Sequence, residues 1–442
     1  LNFSARNTGG NLQDLSIIGS DFSSNIRGLY FVDNKGLEVT NLTTDFTYTK
    51  TAMHFKNTRL QTEKSDVNAN IDFTYKREDL TDFNNKVTIK ANFDKSKLAI
   101  KDLKKYYNEL SGNDVVTFSG KLNGPLNNFD LKNFNLSSRN GIKIIGDLSF
   151  LNAVNPEKGF VFDGDLKNLT ATYKGLKSVL PNVLGKTLPT EFDKFGKFKI
   201  VGKVSVTPEQ MSATVDLKSE IGDIVSDLQI SNISNIDYAS YSGEINLNNF
   251  NIGAFFNDPL FGIVSLKGDV NGTGFKLENI NTSFIGNVSE LNFNNYPYKN
   301  ISANGQYQNN KFDGDLEIDD VNFKMKFNGL ADLSSAVHKF DFNSDIDYLN
   351  LKETNLFTRD STAILKGNIA LDVEGNTFDD ITGMATFKNI LYTNHKEEYI
   401  FKEFNVSSSL KDSIKTIEVS SEDIANGYVS GKFSFSELPY VA

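Results

Sequence analysis

The chain has 442 residues, of which 39% are hydrophobic and 23% charged, and its net charge of −10 argues against electrostatic binding to nucleic acid or anionic lipid headgroups. It contains no Cys, which excludes disulfides, a thiolate nucleophile and a Cys-ligated metal. Its 36 Phe and 16 Tyr are too many for a disordered chain, and aromatic residues favour strands over helices.

Apolar and polar residues alternate with a period of two along almost the whole chain. Phe312, Gly314, Leu316 and Ile318, for example, are separated from one another by acidic residues. This pattern is typical of an antiparallel sheet with one apolar face and one face in water. Short Asn- and Gly-rich dipeptides predict hairpin turns at Asn140-Gly141, Asn304-Gly305 and Asn309-Asn310.

Four irregular inserts interrupt the predicted strands, at residues 102–111, 175–196, 251–262 and 351–362. In the first, Leu103, Tyr106, Tyr107 and Leu110 have the i, i+3, i+4, i+7 spacing of a short amphipathic helix. The fourth has no clear helical pattern. We predict one continuous, repetitive groove over residues 1–442, with approximate modules at 1–111, 112–196, 197–262, 263–362 and 363–442.

A glycine recurs on the apolar face of many strands, flanked two residues away by apolar side chains. Glycine inside a strand destabilises by roughly 0.5–1 kcal/mol relative to Ala, so its repetition needs a structural reason. Missing side chains on an inner face allow a sheet to bend along a line. We predict this inward position for Gly120, Gly202, Gly268, Gly314 and Gly367. The predicted fold is all-β: a long, mainly antiparallel, U-shaped β-groove with a few short helical inserts.

Motifs of catalysis and metal binding are absent from the sequence. It contains no GxSxG, HExxH or P-loop motif, and its three His residues are far apart. The acidic pairs Asp319-Asp320 and Asp379-Asp380 lack the spacing of a calcium loop and are predicted to be solvated turns. We predict no enzymatic activity, no metal and no cofactor.

The predicted helices are too few and too short to cover the apolar face of such a sheet. An apolar lane left open in water is far larger than the exposed patches of soluble monomers, so it indicates a ligand surface. A long apolar ligand fits, because moving a sixteen-carbon chain into water costs on the order of 12 kcal/mol. The predicted lining residues of this lipid groove are Phe118, Leu122, Phe198, Ile200, Val204, Leu266, Val270, Leu316, Ile318, Phe323, Phe327, Leu365 and Ile369.

Other interpretations of the pattern stay open. The sheet edge or groove could receive a nascent strand, which would make the protein a chaperone or scaffold for outer-membrane proteins. An outer-membrane β-barrel or surface adhesin is a further alternative, although the absence of Trp and the helical inserts count against a barrel. A closed β-sandwich or β-helix would also show alternation with a period of two.

The glycine-centred strands are similar to those of a known protein family. The motifs that carry the similarity are Leu266-Lys267-Gly268-Asp269-Val270-Asn271-Gly272, Ile301-x-Ala303-x-Gly305-x-Tyr307, Phe312-Asp313-Gly314-Asp315-Leu316-x-Ile318-x-Asp320 and Phe327-x-Gly329. Their succession resembles the TamB family, the AsmA-like translocation and assembly module proteins of Gram-negative envelopes, most clearly over about residues 195–390. The resemblance implies a periplasmic β-taco groove for phospholipid passage between the two membranes or for outer-membrane protein assembly.

The resemblance also implies parts that this sequence does not match. It implies an N-terminal inner-membrane anchor, which we expect to lie outside this sequence, and a C-terminal segment that docks an outer-membrane barrel related to TamA. We therefore expect a central portion of a longer periplasmic protein. Its expected ligand is phospholipid, its expected partner is the TamA-related barrel, contacted through other parts, and no nucleic acid is expected.

Overall fold

The fold is all-β and mainly antiparallel, as predicted. The computed structural model describes residues 4–106, 112, 114–179, 190–235, 237–276, 278–357, 361–377, 379–423 and 425–434. Strands account for 67% and helices for 8% of it, and the described strands form one sheet of 25 strands that is not closed into a barrel. The prediction of an antiparallel β-groove with a few short helical inserts is confirmed.

Contacts divide the chain into two compact units, Leu1–Asn235 and Ile236–Ala442. The first unit contains β1 (Ala5–Ile18), β2 (Asp21–Asp33), β3 (Glu38–Tyr48), β4 (Ala52–Gln61), β5 (Asp66–Thr74), β6 (Thr88–Ala99), β7 (Val115–Gly124), β8 (Asn128–Ser138), β9 (Lys143–Leu151), β10 (Val161–Thr172), β11 (Lys197–Val206), β12 (Gln210–Ser219) and β13 (Gly222–Ser231). The unit boundary falls inside the predicted module 197–262, and the five modules stay a prediction.

The second unit has the same topology, in which each described strand pairs with its neighbours in sequence. Its strands are β14 (Ser240–Asn251), β15 (Phe261–Thr273), β16 (Asn281–Phe293), β17 (Tyr296–Gln308), β18 (Lys311–Asp319), β19 (Phe323–Asp332), β20 (Lys339–Asn350), β21 (Ala363–Glu374), β22 (Thr382–Asn394), β23 (Glu398–Lys411), β24 (Ile414–Ser420) and β25 (Gly427–Gly431).

The helices of the described residues are short and lie in the connections. They are α1 (Phe83–Lys86), α2 (Ile100–Leu103), α3 (Tyr173–Val179) and α4 (Ile252–Phe256), with 3-10 turns at Arg77–Asp82, Pro156–Lys158 and Thr190–Phe195. The four predicted inserts follow β6, β10, β14 and β20. Because successive strands are antiparallel, the even-numbered strands of a unit all finish at the same end of its sheet. We call this the insert end, and the opposite end the rim end.

The helical content of the inserts differs from the prediction. In the first insert, α2 has only four residues and Tyr106 lies in a turn, so the predicted helix is wrong at this position. Tyr107 and Leu110 lie outside the described residues, as do residues 180–189 of the second insert and 358–360 of the fourth. The described part of the fourth insert forms turns. The helical segment 77–86, at the rim end, was not predicted.

The hairpin predictions are confirmed at two of three positions. Asn140-Gly141 and Asn309-Asn310 lie in connections, with positive φ angles at Gly141 and at both Asn residues of the second pair. The prediction at Asn304-Gly305 is wrong, because this pair lies inside β17, where Gly305 is the cross-strand partner of Gly314. An outward Asn followed by an inward Gly gives the same sequence signal as a tight turn.

Many strands are bent by a β-bulge, seen as a shift in register against the neighbouring strand. A bulge bends its strand and increases the local twist. The shifts recur in each pairing from β1 to β11, whereas the pairings among β11 to β13 and among β16 to β19 are regular. A residue with φ between 36° and 63° occupies the bulge at Asp14, Gly28, Asn57, Lys95, Asn133, Asn249 and Asn389.

Side chains of the adjacent strand satisfy the backbone groups at the bulges. The Asn133 N–H donates to Asp147 Oδ1 at 2.7 Å, and the Asn249 N–H donates to Ser265 Oγ at 3.0 Å. On the inner face the fully buried Ser96 hydroxyl donates to the Asn68 carbonyl at 3.0 Å and accepts from its N–H at 2.9 Å. These bonds replace ladder bonds that the bulges interrupt.

Replacing Asn133 by Val tests the bend in the first unit. Asn133 has a φ of 51°, a conformation that a β-branched residue strongly disfavours. We expect the free energy of unfolding, measured by urea denaturation, to fall by about 1–2 kcal/mol. Asn133→Gly is the matched control and should lose less, because Gly accepts positive φ. Equal losses in the two variants would contradict this role of the bulge.

Asp147, which accepts the hydrogen bond from Asn133, makes the stability contributed by this bend depend on pH. The hydrogen bond from the Asn133 N–H holds the pKa of Asp147 below its usual range, with Lys132 adding to the effect. A carboxylate with a lowered folded-state pKa stabilises the fold above its unfolded pKa of about 4 and loses this contribution as pH falls. The free energy of unfolding should therefore decrease between about pH 5 and pH 3, and less steeply in Asp147→Asn. Identical pH profiles would argue against the contribution.

Candidate ligand-binding groove

The inner face of the first unit carries half-buried aromatic side chains on successive strands. The rings of Phe22, Phe46, Phe55 and Phe73 follow one another across β2 to β5, with centroid distances of 5.9, 4.7 and 5.9 Å. Period-two alternation places all four on the apolar face, and such cross-strand pairs each stabilise a sheet by about 0.2–1 kcal/mol. Part of the surface of each side chain remains accessible.

A similar aromatic row lines the inner face of the second unit. Phe312, Phe327 and Phe342 of β18 to β20 have centroid distances of 6.0 and 4.9 Å. The rings of Phe387 and Phe404, on β22 and β23, stack at 4.7 Å. All five side chains are half-buried. An apolar surface of this kind is therefore present in both units.

The insert end of the second unit is closed by a packed cluster. Its buried members are Tyr296, Tyr298, Ile301, Ile318, Phe323, Ile346 and Leu349. The Tyr298 hydroxyl donates to the carbonyl of Thr354 in the fourth insert at 3.1 Å. The apolar face is thus sealed where the inserts lie and more accessible toward the rim end.

The predicted lining residues lie at two levels of burial. Phe198, Ile318 and Phe323 are 2%, 8% and 9% exposed and belong to the packed insert end. Phe198, for example, packs against Phe195 of the second insert, with ring centroids 6.5 Å apart. The other lining residues are half-buried on the inner face, namely Phe118, Leu122, Ile200, Val204, Leu266, Val270, Leu316, Phe327, Leu365 and Ile369.

The fold brings several of these residues into contact. Leu316, Leu365 and Ile369 pack against the buried cluster, and Leu316 is the cross-strand partner of Phe327. Leu266 and Val270 share the inner face of β15. In the first unit, Phe118 and Leu122 lie on β7, whereas Phe198, Ile200 and Val204 lie on β11.

The inward glycines allow neighbouring strands to approach closely. A Cβ at Gly202 would lie 2.2 Å from the Thr214 carbonyl oxygen, and one at Gly314 would lie 2.4 Å from that of Asn304. Both glycines have φ angles, 134° and 155°, that other residues rarely adopt. Gly120, Gly202 and Gly367 lie at register shifts, whereas Gly268 and Gly314 lie in regular parts of their ladders. The glycines and the bulges therefore shape the sheet together.

Sequence reasoning missed the aromatic row at Phe22, Phe46, Phe55 and Phe73. The signal was present, because each of these residues has a polar or small neighbour on both sides or lies in a run with period-two alternation. None of the four has a glycine two residues away, so the glycine-centred pattern does not contain them.

The charged residues of the strands alternate onto the outer face. Arg59 binds Asp66 there through two hydrogen bonds of 2.9 and 2.7 Å, and Lys267 lies 3.0 Å from Glu244. A cavity of about 690 Å³ also lies on this face, lined by outward side chains of β17 to β22 that include Asp315. Its lining also includes Leu316, Phe327 and Ile369, three of the predicted groove residues, so the cavity adjoins the groove in the second unit.

One acidic pair differs from the prediction of a solvated turn. Asp320 is only 2% exposed, and its carboxylate accepts hydrogen bonds from the Tyr296 hydroxyl, the Lys299 N–H and the Asn322 N–H. It thereby fixes the tight β18–β19 connection. Asp379-Asp380 is exposed in a turn, as predicted. Among the residues that the structure describes, no three His, Asp or Glu side chains converge as metal ligands would.

No protein-family model, curated protein or solved structure gives a significant match to this chain. None of the helices in the described ranges has the length and apolar character needed to cross a membrane.

One hydroxyl on the inner face of the second unit has no hydrogen-bond partner. Ser344 lies between Phe327 and Ile369 in the cross-strand register and is 7% exposed, with its Oγ unpaired. An unpaired buried polar group costs about 1–3 kcal/mol. We expect Ser344→Ala to leave the free energy of unfolding unchanged or to raise it by up to about 1 kcal/mol. Urea denaturation measures this change.

Ser96→Ala is the matched control for that substitution. It removes a buried hydroxyl that bonds both backbone groups of Asn68, so the free energy of unfolding should fall by about 1–3 kcal/mol. A clear loss in Ser344→Ala would show that the hydroxyl has a partner in solution.

Proposed function

We propose that the inner face binds the acyl chains of phospholipids and that the protein carries them along the groove between the inner and outer membranes of a Gram-negative envelope. The observation that supports this most directly is the half-buried aromatic surface on one face of a sheet that is not closed into a barrel. The periplasmic location and a TamA-related partner are part of the proposal and depend on the TamB-like motifs over residues 266–329 alone.

The distribution of burial favours a ligand surface over an ordinary core. In a closed sandwich, inner side chains such as Phe327 and Phe342 would be buried by the facing sheet. Here they are half-buried, and complete burial on the second unit's inner face is concentrated toward the insert end. Exposed apolar surfaces of this extent mark binding sites in soluble proteins.

The separation of charge from apolar surface fits a lipid ligand. Each methylene of an acyl chain gains about 0.8 kcal/mol on leaving water for an apolar surface. The ion pairs of the strands lie on the outer face, so an acyl chain on the inner face meets Phe, Leu, Ile and Val. The groove would lower the cost of moving the chain through water at every step, without a chemical reaction.

Three charges on the groove surface test the proposal. The variant Leu266→Asp, Val270→Asp, Leu365→Asp places carboxylates on half-buried inner positions of β15 and β21. We expect the phospholipid that co-purifies with the protein, measured by mass spectrometry, to fall roughly tenfold, because each buried carboxylate opposes apolar contact. Circular dichroism checks that the strand content is retained.

The matched control adds the same charge to the outer face. Asn271→Asp, Asn287→Asp and Asn343→Asp change exposed positions, and the combined variant should retain its lipid. Equal lipid content in the folded groove variant and this control would exclude the inner face as the lipid site. Crosslinks to an unfolded outer-membrane barrel without any bound lipid would instead favour the chaperone interpretation.

A further inference from the structure

One connection at the rim end of the first unit is longer than a tight turn and partly helical. It comprises residues 77–86, which form a 3-10 turn followed by α1, and we call it the strap. The strap connects the end of β5 to the start of β6. All ten of its residues are described, and none of them is buried. The inserts at the other end differ, since they contain buried residues such as Ile100 and Phe195.

Two hydrogen bonds attach the strap beyond the strands that it connects. Asn127, in the β7–β8 connection, donates its N–H to the Asn84 carbonyl and its side-chain Nδ2 to Asn85 Oδ1, each at 2.9 Å. Asn127 is 3% exposed. Because the strap starts at β5 and is held at the β7–β8 connection, it crosses the rim end of β6 and β7.

The strap also contacts the aromatic row. The ring of Phe83 lies 5.7 Å from that of Phe73, so it continues the series formed by Phe22, Phe46, Phe55 and Phe73. Phe83 belongs to the strap and not to a strand. Its ring fills the position beside Phe73 that a ligand chain bound along the row would occupy.

Inner-face residues near the strap are more buried than those of the strands farther from it. Phe46 and Phe55, on β3 and β4, are half-buried. Ile89 and Ala91, at the rim end of β6, are 6% and 5% exposed, whereas Phe93 of the same strand is half-buried, as is Leu122, the cross-strand partner of Ala91 on β7. The accessible surface of β6 is thus restricted to the part away from the strap.

We infer that the strap is a gate in the groove, which covers the rim-end part of the inner face of β6 and opens to widen the path of an acyl chain between β5 and β7. This inference rests on the proposed lipid-binding function. The Phe83–Phe73 ring contact and the two Asn127 bonds hold the gate closed, and its opening uncovers Ile89 and Ala91. A chain bound against Phe55 then passes over these two residues to Leu122.

A reversible covalent lock tests the gate in the full chain. Since the protein has no Cys, the variant Asn85→Cys, Asn127→Cys contains one thiol pair only, which can be closed by oxidation or by a short bis-maleimide. The probe is phosphatidylethanolamine with a diazirine in its acyl chain, supplied in liposomes, and peptide mass spectrometry locates the crosslinks. Locking should reduce crosslinks at Ile89 and Ala91 of β6 roughly tenfold and leave those in β3 and β4 unchanged.

Two further variants complete the experiment. Phe83→Ala weakens the closed state and should increase crosslinks in β6 at least about twofold. Thr214→Cys, Asp227→Cys is the control lock, because it joins exposed partners on the outer face of β12 and β13 and should change nothing.

Each outcome decides the inference. Equal crosslinking of β6 in locked and reduced protein would overturn it, and so would absence of β6 crosslinks in every form, which would make the strap a permanent plug. If crosslinks in β3 and β4 persist in both of these outcomes, the proposed lipid-binding function is still supported although the gate is not. Absence of crosslinks from all inner strands would remove the proposed function, and the gate with it.

Discussion

The structure depends on how backbone groups at the bends are satisfied. A bulge removes ladder hydrogen bonds, and a buried peptide group without a partner is costly. In this protein a side chain of the adjacent strand replaces the lost bond, as Asp147 does for Asn133 and Ser96 does for Asn68. Each bend is therefore stabilised by the next strand.

The bend separates the apolar face into two zones with different roles. At the insert end, side chains such as Phe198 and Leu349 are packed against the inserts and hold the fold together. Toward the rim end, rings such as Phe46 and Phe327 are held in rows but keep part of their surface accessible. Stability and ligand binding are thus assigned to different ends of the same strands, so that the accessible rings need not be buried for the fold to be stable.

Strand content was predictable from the sequence because alternation reports directly on the two faces of a sheet. The bulges were not predictable in the same way, since an outward Asn in left-handed conformation, such as Asn133, has the same place in the pattern as any other polar residue. The turn prediction at Asn304-Gly305 was wrong for a related reason, because inward glycine inside a strand is common in this fold. The burial of Asp320 depends on Tyr296, a contact between strands that a local pattern does not contain. The strap lacked a signal, because ten mostly polar residues between strands are typical of an ordinary loop.

The order of the strands has a consequence for how such a chain folds and changes in length. Since strands pair with their neighbours in sequence within each unit, most contacts are local, and folding can spread from one hairpin to the next, as in repeat proteins. All four inserts follow even-numbered strands, so the number of strands before an insert determines at which end of the sheet it lies. Gain or loss of one strand would move every later insert of that unit to the opposite end, whereas gain or loss of a hairpin preserves their side. Proteins built in this way are therefore expected to grow or shorten by pairs of strands.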